Sequence, residues 1–212
     1  MEGHILVAGC GFLGSWFTRF YAQRAEALNY RATVICLDND KFEMRNTPTQ
    51  YLDRSLVGVE KAMIACDTLS KFNIPSRPAI QRLTGENVTG FIEEYGPFSL
   101  VVDSFDNYQS RVLCWYIAKS LGIECLHLAI SPGGFGRVDW AKSWPLDPGR
   151  VMTEVKREEV ETPPCELVLY QQLGIQVALR GAVESINHLL GYSYRAWIVS
   201  EIEQTCVYHG QT

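Results

Sequence analysis

Short apolar runs alternate with longer amphipathic stretches along most of this chain, which predicts strands separated by helices. The first run, residues 4–8, predicts a buried strand of the parallel type, and residues 13–28 predict a helix. Further strands are predicted at 32–37, 98–105 and 125–130, and further helices at 57–72 and 107–121. This order predicts an α/β fold with a Rossmann-like, mostly parallel sheet and helices on both faces.

Two regions break the alternation of strands and helices. Residues 38–56 form a polar loop, and residues 131–164 form a longer irregular crossover with several proline and glycine turn signals. Long irregular segments within a compact domain are often functional. The alternative for the crossover is a pair of short strands that cover the sheet, with Trp140 and Trp144 in the core.

Composition limits the classes of protein that this chain can represent. Its 212 residues, of which 47% are hydrophobic, are enough for one α/β domain spanning 1–212. Seven scattered cysteines without a Cys-x-x-Cys pair indicate a reducing, cytoplasmic location and argue against a structural zinc. No signal peptide or membrane span is expected, and a net charge of -5 argues against nucleic acid as a general partner.

A glycine-rich turn lies between the first predicted strand and helix. In the segment 9–14, Gly9 permits the sharp turn, Gly11 lets a phosphate approach the backbone, and Gly14 lets the helix pack closely. Asp38 ends the second strand, where a carboxylate can accept hydrogen bonds from both ribose hydroxyls of a nucleotide. NAD and ATP fit these features equally well.

The polar residues that follow favour phosphoryl or adenylyl chemistry. Lys61 falls near the start of a predicted helix, where its ammonium can face phosphates, although most lysines are simply solvated. Asp106 falls at the carboxyl edge of the strand at 98–105, which predicts a magnesium ligand, with a helix N-cap as the alternative. Asp40, Asn46 and Gln50 complete this polar set.

Taken in order, these motifs resemble the ThiF, MoeB and ubiquitin-activating E1 superfamily of adenylyltransferases. The matching stretches are 9–15, 38–40 with Asn46 and Gln50, 57–62, Asp106 and Asn107 with Arg111, and 174–191. The last stretch resembles the long closing helix of the family, which would span 165–191 and be followed by a late strand at 195–200. The resemblance implies a homodimer that uses ATP and magnesium to adenylate the C-terminal carboxylate of a small ubiquitin-like or sulfur-carrier protein. It also makes residues 131–164 the candidate segment for receiving the partner's tail.

The resemblance implies a role for each matching residue. Asp38 would bind the ribose, Asn46 and Lys61 would contact phosphate oxygens, and Asp106 would hold Mg²⁺. Arg111 has two open readings, a phosphate contact or a structural ion pair. The full set expected to contact the nucleotide is Gly9, Gly11, Phe12, Leu13, Gly14, Asp38, Asp40, Gln50, Lys61, Asp106, Asn107 and Arg111.

The chain departs from the family pattern at several positions. Thr49 occupies the place of an arginine that normally precedes the glutamine, and Arg45 is the candidate substitute. The chain enters its first strand almost at Met1, so we expect no N-terminal helix to give an arginine to a neighbouring subunit. Cys165 is the candidate for receiving the activated carboxyl as a thioester.

Two alternative functions stay open beside adenylation: a nucleotide-binding scaffold that lost adenylation, and an NAD-linked oxidoreductase using only the glycine turn and Asp38.

Overall fold

The computed structural model describes residues 3–50, 52–131, 134–140, 170–200 and 204–210, the last range as backbone only. Its strands are β1 (His4–Ala8), β2 (Val34–Leu37), β3 (Ser76–Ala79), β4 (Phe98–Asp103), β5 (Glu124–Ser131), β6 (Phe135–Trp140), β7 (Tyr194–Val199) and β8 (Gln204–Gly210). Its helices are α1 (Phe12–Ala27), α2 (Thr47–Gln50), α3 (Lys61–Ser70), α4 (Val88–Tyr95), α5 (Tyr108–Leu121) and α6 (Gln171–Leu189). Two 3-10 turns, Met44–Asn46 and Arg54–Leu56, flank α2.

These eight strands form one sheet in the order β3-β2-β1-β4-β5-β6-β7-β8. The pairings from β3 to β5 are parallel, and those from β5 to β8 are antiparallel. Apolar side chains of α1, α3 and α6 pack on one face of the sheet, and those of α4 and α5 pack on the other. The predicted mostly parallel sheet with helices on both faces is therefore confirmed.

The structure contains four elements that were not predicted, namely α2, β3, α4 and β8, and α2 lies within the expected polar loop at 38–56. Strand β3 has the sequence Ser-Arg-Pro-Ala, and a proline is compatible only with an edge position of this kind. The prediction of an irregular region at 131–164 is partly wrong, because residues 135–140 form β6. Trp140 is fully buried there against Tyr194, which confirms the alternative prediction that Trp140 belongs to the core. Trp144, the other tryptophan of that prediction, lies outside the described residues.

The order of the strands brings three loops together at one edge of the sheet. Strand β1 lies between β2 and β4, with Ala8 paired to both Leu37 and Asp103. The glycine turn after β1 therefore sits between the segments that follow β2 and β4, as expected for the ligand edge of a parallel sheet. None of the helices within the described ranges has the length and apolar character needed to cross a membrane.

Candidate functional site

The glycine turn has the shape that its sequence predicts. Gly9 has φ +88°, and a Cβ there would lie 3.1 Å from the amide nitrogen of Phe105. A Cβ at Gly14 would overlap the carbonyl oxygen of Gly9, which explains the need for glycine where α1 crosses the turn. A Cβ at Gly11 would meet no described atom within 4 Å. Gly11 is also the N-cap of α1 and provides no side-chain cap, so the first amides of the helix have no acceptor within the helix.

Asp38 joins the glycine turn to the loop after β2. Its Oδ2 accepts a hydrogen bond from the amide of Cys10 at 2.7 Å, and its Oδ1 accepts one from the amide of Asp40 at 2.8 Å. The carboxyl is buried, and burial raises its pKa despite these two hydrogen bonds and the nearby Lys61 ammonium. Each oxygen keeps a second lone pair, so the carboxylate can still accept hydrogen bonds from ligand hydroxyls.

Lys61 is the first residue of α3 and points towards the same region. Its Nζ lies 3.2 Å from Oδ2 of Asp40, and its side chain is only 12% exposed, compared with 61% for Asp40. The solvated-surface alternative for Lys61 is therefore wrong. Since its partner is largely in solvent, an anion entering the site can compete for this ammonium.

A pocket lies between α1, α2 and α3 beside the glycine turn. Cys10, Ser15, Arg19, Gln50 and Lys61 contribute to its lining. The Gln50 side chain is buried, and its Oε1 has no hydrogen-bond partner among the described residues. A buried acceptor without a donor costs about 1–3 kcal/mol, so a ligand or water that donates to Gln50 suits this position. Sequence analysis included Ser15 only as the last residue of a matching stretch and did not identify Arg19, although their spacing of four places them on one side of α1.

The segment before α2 holds two predicted residues in different environments. Asn46 is buried, and its Oδ1 accepts a hydrogen bond from the amide of Glu43 at 3.0 Å, which caps the 3-10 turn. Arg45 is exposed, and its Nε lies 2.8 Å from Oε2 of Glu43. It does not line the pocket, so the expected substitution of Arg45 for the missing arginine finds no support. Thr49 is fully buried, and its carbonyl accepts a hydrogen bond from Nε1 of Trp16 at 2.8 Å.

Asp106 follows β4 at the same edge of the sheet as the glycine turn. It is exposed and makes no hydrogen bond or ion pair with the described residues. The alternative that Asp106 caps α5 is wrong, because Asn107 is the N-cap and its Oδ1 accepts a hydrogen bond from the amide of Ser110 at 2.9 Å. Within the described ranges, no three histidine, cysteine, aspartate or glutamate side chains are placed to hold a metal. A magnesium ion at Asp106 would therefore need oxygens from a ligand, as Mg²⁺ commonly does.

Arg111 takes part in a buried ionic cluster. Its Nη1 lies 3.3 Å from Oδ2 of Asp103, and its Nη2 donates a hydrogen bond to the carbonyl of Leu128 at 3.0 Å. Nδ1 of His127 lies 2.7 Å from the same Asp103 oxygen. These contacts favour the structural reading of Arg111 over a phosphate contact. Sequence analysis missed Asp103 and His127 as a pair, although they are directly opposite each other on β4 and β5.

The cysteines within the described residues are free thiols that mostly lie in the core. Cys10, Cys36, Cys114 and Cys125 are buried, as expected for packing residues. Burial raises the pKa of the Cys114 and Cys125 thiols well above their ordinary value, so both stay protonated near neutral pH. Cys165, the thioester candidate, lies outside the described residues.

Comparison with solved structures shows where this fold occurs. E. coli MccB with ATP is 14% identical, with a TM-score of 0.69 over 99% of this chain and 63% of MccB. E. coli MccB with AMPCPP and MccA is 14% identical, with a TM-score of 0.73 over 99% and 64% of the two chains. PaaA is also 14% identical, with a TM-score of 0.66 over 98% of this chain and 72% of PaaA. The chain thus spans less than two thirds of the length of these MccB structures.

Sequence comparison identifies the family. A comparison with curated proteins gives no significant match. Residues 1–140 match the model of the ThiF family, and this stretch contains the glycine turn, Asp38, Lys61 and Asp106. This match covers well over half of the chain. The chain therefore belongs to the ThiF family.

Proposed function

We propose that this protein is an E1-like, ATP-dependent adenylyltransferase that activates the C-terminal carboxylate of a small protein or peptide. The observation that carries the proposal is the meeting of the glycine turn, Asp38 and Lys61 beside one pocket, in a chain of the ThiF family. The solved MccB structures with ATP and with MccA support the choice of substrates. An NAD-linked reaction would leave the half-buried Lys61 without a role.

The residues at this edge fit the parts of ATP. The open space at Gly11 and the uncapped start of α1 suit phosphate oxygens, because the first backbone amides of a helix have no partners within the helix. The Asp38 carboxylate suits the ribose hydroxyls. Asp106 would hold Mg²⁺ together with phosphate oxygens, and the ion would neutralise charge on the phosphates.

The proposed reaction is a displacement at the α-phosphorus of ATP. A carboxylate oxygen of the partner forms a bond to this phosphorus, the bond to the bridging oxygen breaks, and pyrophosphate leaves. The Lys61 ammonium would offset the negative charge that the leaving group gains, and Asp40 would hold this ammonium in place beforehand. The protein contributes mainly by positioning the two substrates and by charge neutralisation.

The partner that we propose is a ubiquitin-like or sulfur-carrier protein with a C-terminal glycine. Because β6 takes residues 135–140, the segment proposed to receive its tail narrows to 141–164, which lies outside the described residues. We further propose that the protein works as a homodimer in the cytoplasm and that Cys165 is the candidate thioester residue.

The second candidate function is a nucleotide-binding scaffold without adenylation activity. Thr49 replaces the expected arginine and is fully buried, and Arg45 is paired with Glu43 outside the pocket. Loss of a positioned arginine can reduce the rate of phosphoryl transfer by about three to five orders of magnitude. This candidate keeps the nucleotide site and predicts binding without turnover.

Equilibrium titration with MgATP and with NAD tests the nucleotide site. The Lys61→Ala and Asp106→Ala variants should each bind MgATP about 10-fold more weakly or worse, since each removes a charge from the proposed phosphate site. Lys71→Ala and Asp67→Ala are matched controls, because these residues form an exposed ion pair at the far end of α3. Preference for NAD, or equal losses in the control variants, would contradict the proposal.

Pyrophosphate exchange into ATP then separates the two candidate functions. A panel of carrier proteins and peptides ending in Gly-Gly should include at least one that supports exchange if adenylation occurs. A related enzyme assayed with its own carrier is the positive control. MgATP binding without exchange for any member of the panel would favour the scaffold.

A further inference from the structure

Arg19 is a positively charged residue that lines the pocket and lies outside the family motifs. It lies on α1, four residues after Ser15, and both side chains line the pocket together with Gln50 and Lys61. Side chains on a helix lean towards its N-terminus, and here that direction leads back to the glycine turn.

The guanidinium of Arg19 has no acidic partner among the residues that the structure describes. It is half-buried and makes no ion pair or hydrogen bond with the described residues, in contrast to Arg45 and Arg111, which are paired with carboxylates. Its Cζ lies 5.1 Å from the centre of the Trp16 ring. A guanidinium that rests on an indole face keeps its N–H groups free for a planar anion.

Trp16 connects Arg19 to the position where the expected arginine is missing. The indole Nε1 donates a hydrogen bond to the carbonyl of Thr49, so the ring under Arg19 is fixed to the segment that carries Gln50. The buried Oε1 of Gln50, which accepts no hydrogen bond from any described residue, is a second and independent sign that this pocket takes a polar ligand.

We propose that Arg19 binds the phosphate chain of ATP and thereby supplies, from α1, the positive charge that Thr49 does not. The proposal rests on the proposed function, since it requires ATP at the glycine turn. Arginine forms paired hydrogen bonds to phosphate oxygens, so the guanidinium would work together with the Lys61 ammonium on the same anion.

Titration of the full chain with MgATP and with magnesium tripolyphosphate tests this inference. Arg19→Gln should weaken the binding of both by about 10- to 100-fold, because a charge-assisted hydrogen bond contributes about 1.5–3 kcal/mol. Arg19→Lys should keep part of this affinity. Arg31→Gln is the matched control, because Arg31 is exposed and lies beyond the opposite end of α1. Thermal unfolding of each variant checks that the fold is retained.

The outcomes separate this inference from the function on which it rests. If wild-type protein binds MgATP and Arg19→Gln behaves like Arg31→Gln, the assignment of Arg19 is overturned while the nucleotide site stands. If wild-type protein binds neither MgATP nor tripolyphosphate, the proposed function and the inference both fall. A selective loss in Arg19→Gln with unchanged thermal unfolding supports the inference.

Discussion

Alanine should affect different properties at two glycines of the same turn, namely stability at Gly14 and nucleotide binding at Gly11. At Gly14 the added methyl group would overlap the carbonyl oxygen of Gly9 and lie 2.9 Å from Oγ of Ser104. Overpacking of this kind costs up to about 3 kcal/mol, and the first collision is with backbone that cannot rotate away. Alanine regains about 1 kcal/mol over glycine within a helix, which leaves a net loss of about 2 kcal/mol.

Gly11→Ala should leave stability almost unchanged and reduce nucleotide binding. Gly11 has φ -74°, outside the left-handed region that favours glycine, and its Cβ would meet no described atom within 4 Å. We expect the free energy of unfolding to stay within about 0.5 kcal/mol of wild type. The same methyl group would occupy the space proposed for phosphate, so affinity for MgATP should fall by about 10-fold or more.

Urea unfolding followed by circular dichroism, paired with titration by MgATP, measures both effects. Gly14→Ala should lower the unfolding midpoint, and Gly11→Ala should keep the midpoint and lose affinity. A Gly14→Ala protein as stable as wild type would refute the packing argument. Unchanged MgATP affinity in Gly11→Ala would refute the assignment of this open space to phosphate.

Three further predictions concern buried carboxylates. Glu184→Ala should lower the free energy of unfolding by about 2–4 kcal/mol in urea titrations, because Glu184 accepts hydrogen bonds from the amide of Arg195 and from Nε1 of Trp197. Asp103→Ala should cost about 3–5 kcal/mol in the same assay, because it leaves the Arg111 guanidinium without its counterion. Asp38 has a pKa raised above its ordinary value near 3.8, so its contribution to stability is present at lower pH and is lost as pH rises through the folded-state pKa. The Asp38→Asn variant has no ionisation at this position. As the pH is raised from about 4 to about 7, its free energy of unfolding should therefore increase relative to that of wild type.

Conservative and surface variants are the controls for these predictions. Glu184→Gln keeps one acceptor and should be less destabilised than Glu184→Ala. Glu94→Ala removes an exposed partner of Arg77 and should lower the free energy of unfolding by less than about 1 kcal/mol. A loss in Glu94→Ala as large as that in Asp103→Ala would contradict the burial argument. A difference between Asp38→Asn and wild type that stays constant with pH would contradict the assigned ionisation.

Local sequence was sufficient to predict the first strand, the glycine turn and the first helix. Strand β1, the glycine turn and α1 follow from an apolar run, three glycines and a helical period, all within residues 4–27. Strand β3 was missed because only four residues pair there and one is proline, so no apolar run marks it. The position of β6 depends on antiparallel pairing with β5 and β7, which local sequence does not encode.

The site was predictable where a residue follows directly from a strand end and less so elsewhere. Asp38 and Asp106 were found because each follows an apolar run, and the carboxyl ends of parallel strands share one edge. Arg45 and Arg111 were harder to place, because their partners Glu43 and Asp103 are chosen by side-chain geometry rather than by spacing. Arg19 was missed because nothing in a single helix indicates that another helix forms a pocket beside it.

The packing of α6 on α1 has a consequence for the order in which this protein becomes functional. The Phe12 ring packs against Gly174, where any larger residue would overlap it, although the two positions are far apart in the chain. The amides beside Phe12 are those proposed to hold phosphate. We therefore expect a chain still being synthesised to lack a finished nucleotide site until α6 has left the ribosome, even though every residue expected to contact the nucleotide emerges earlier. Closing such distant contacts is a slow step in folding, so nucleotide added during refolding should bind only in the last phase.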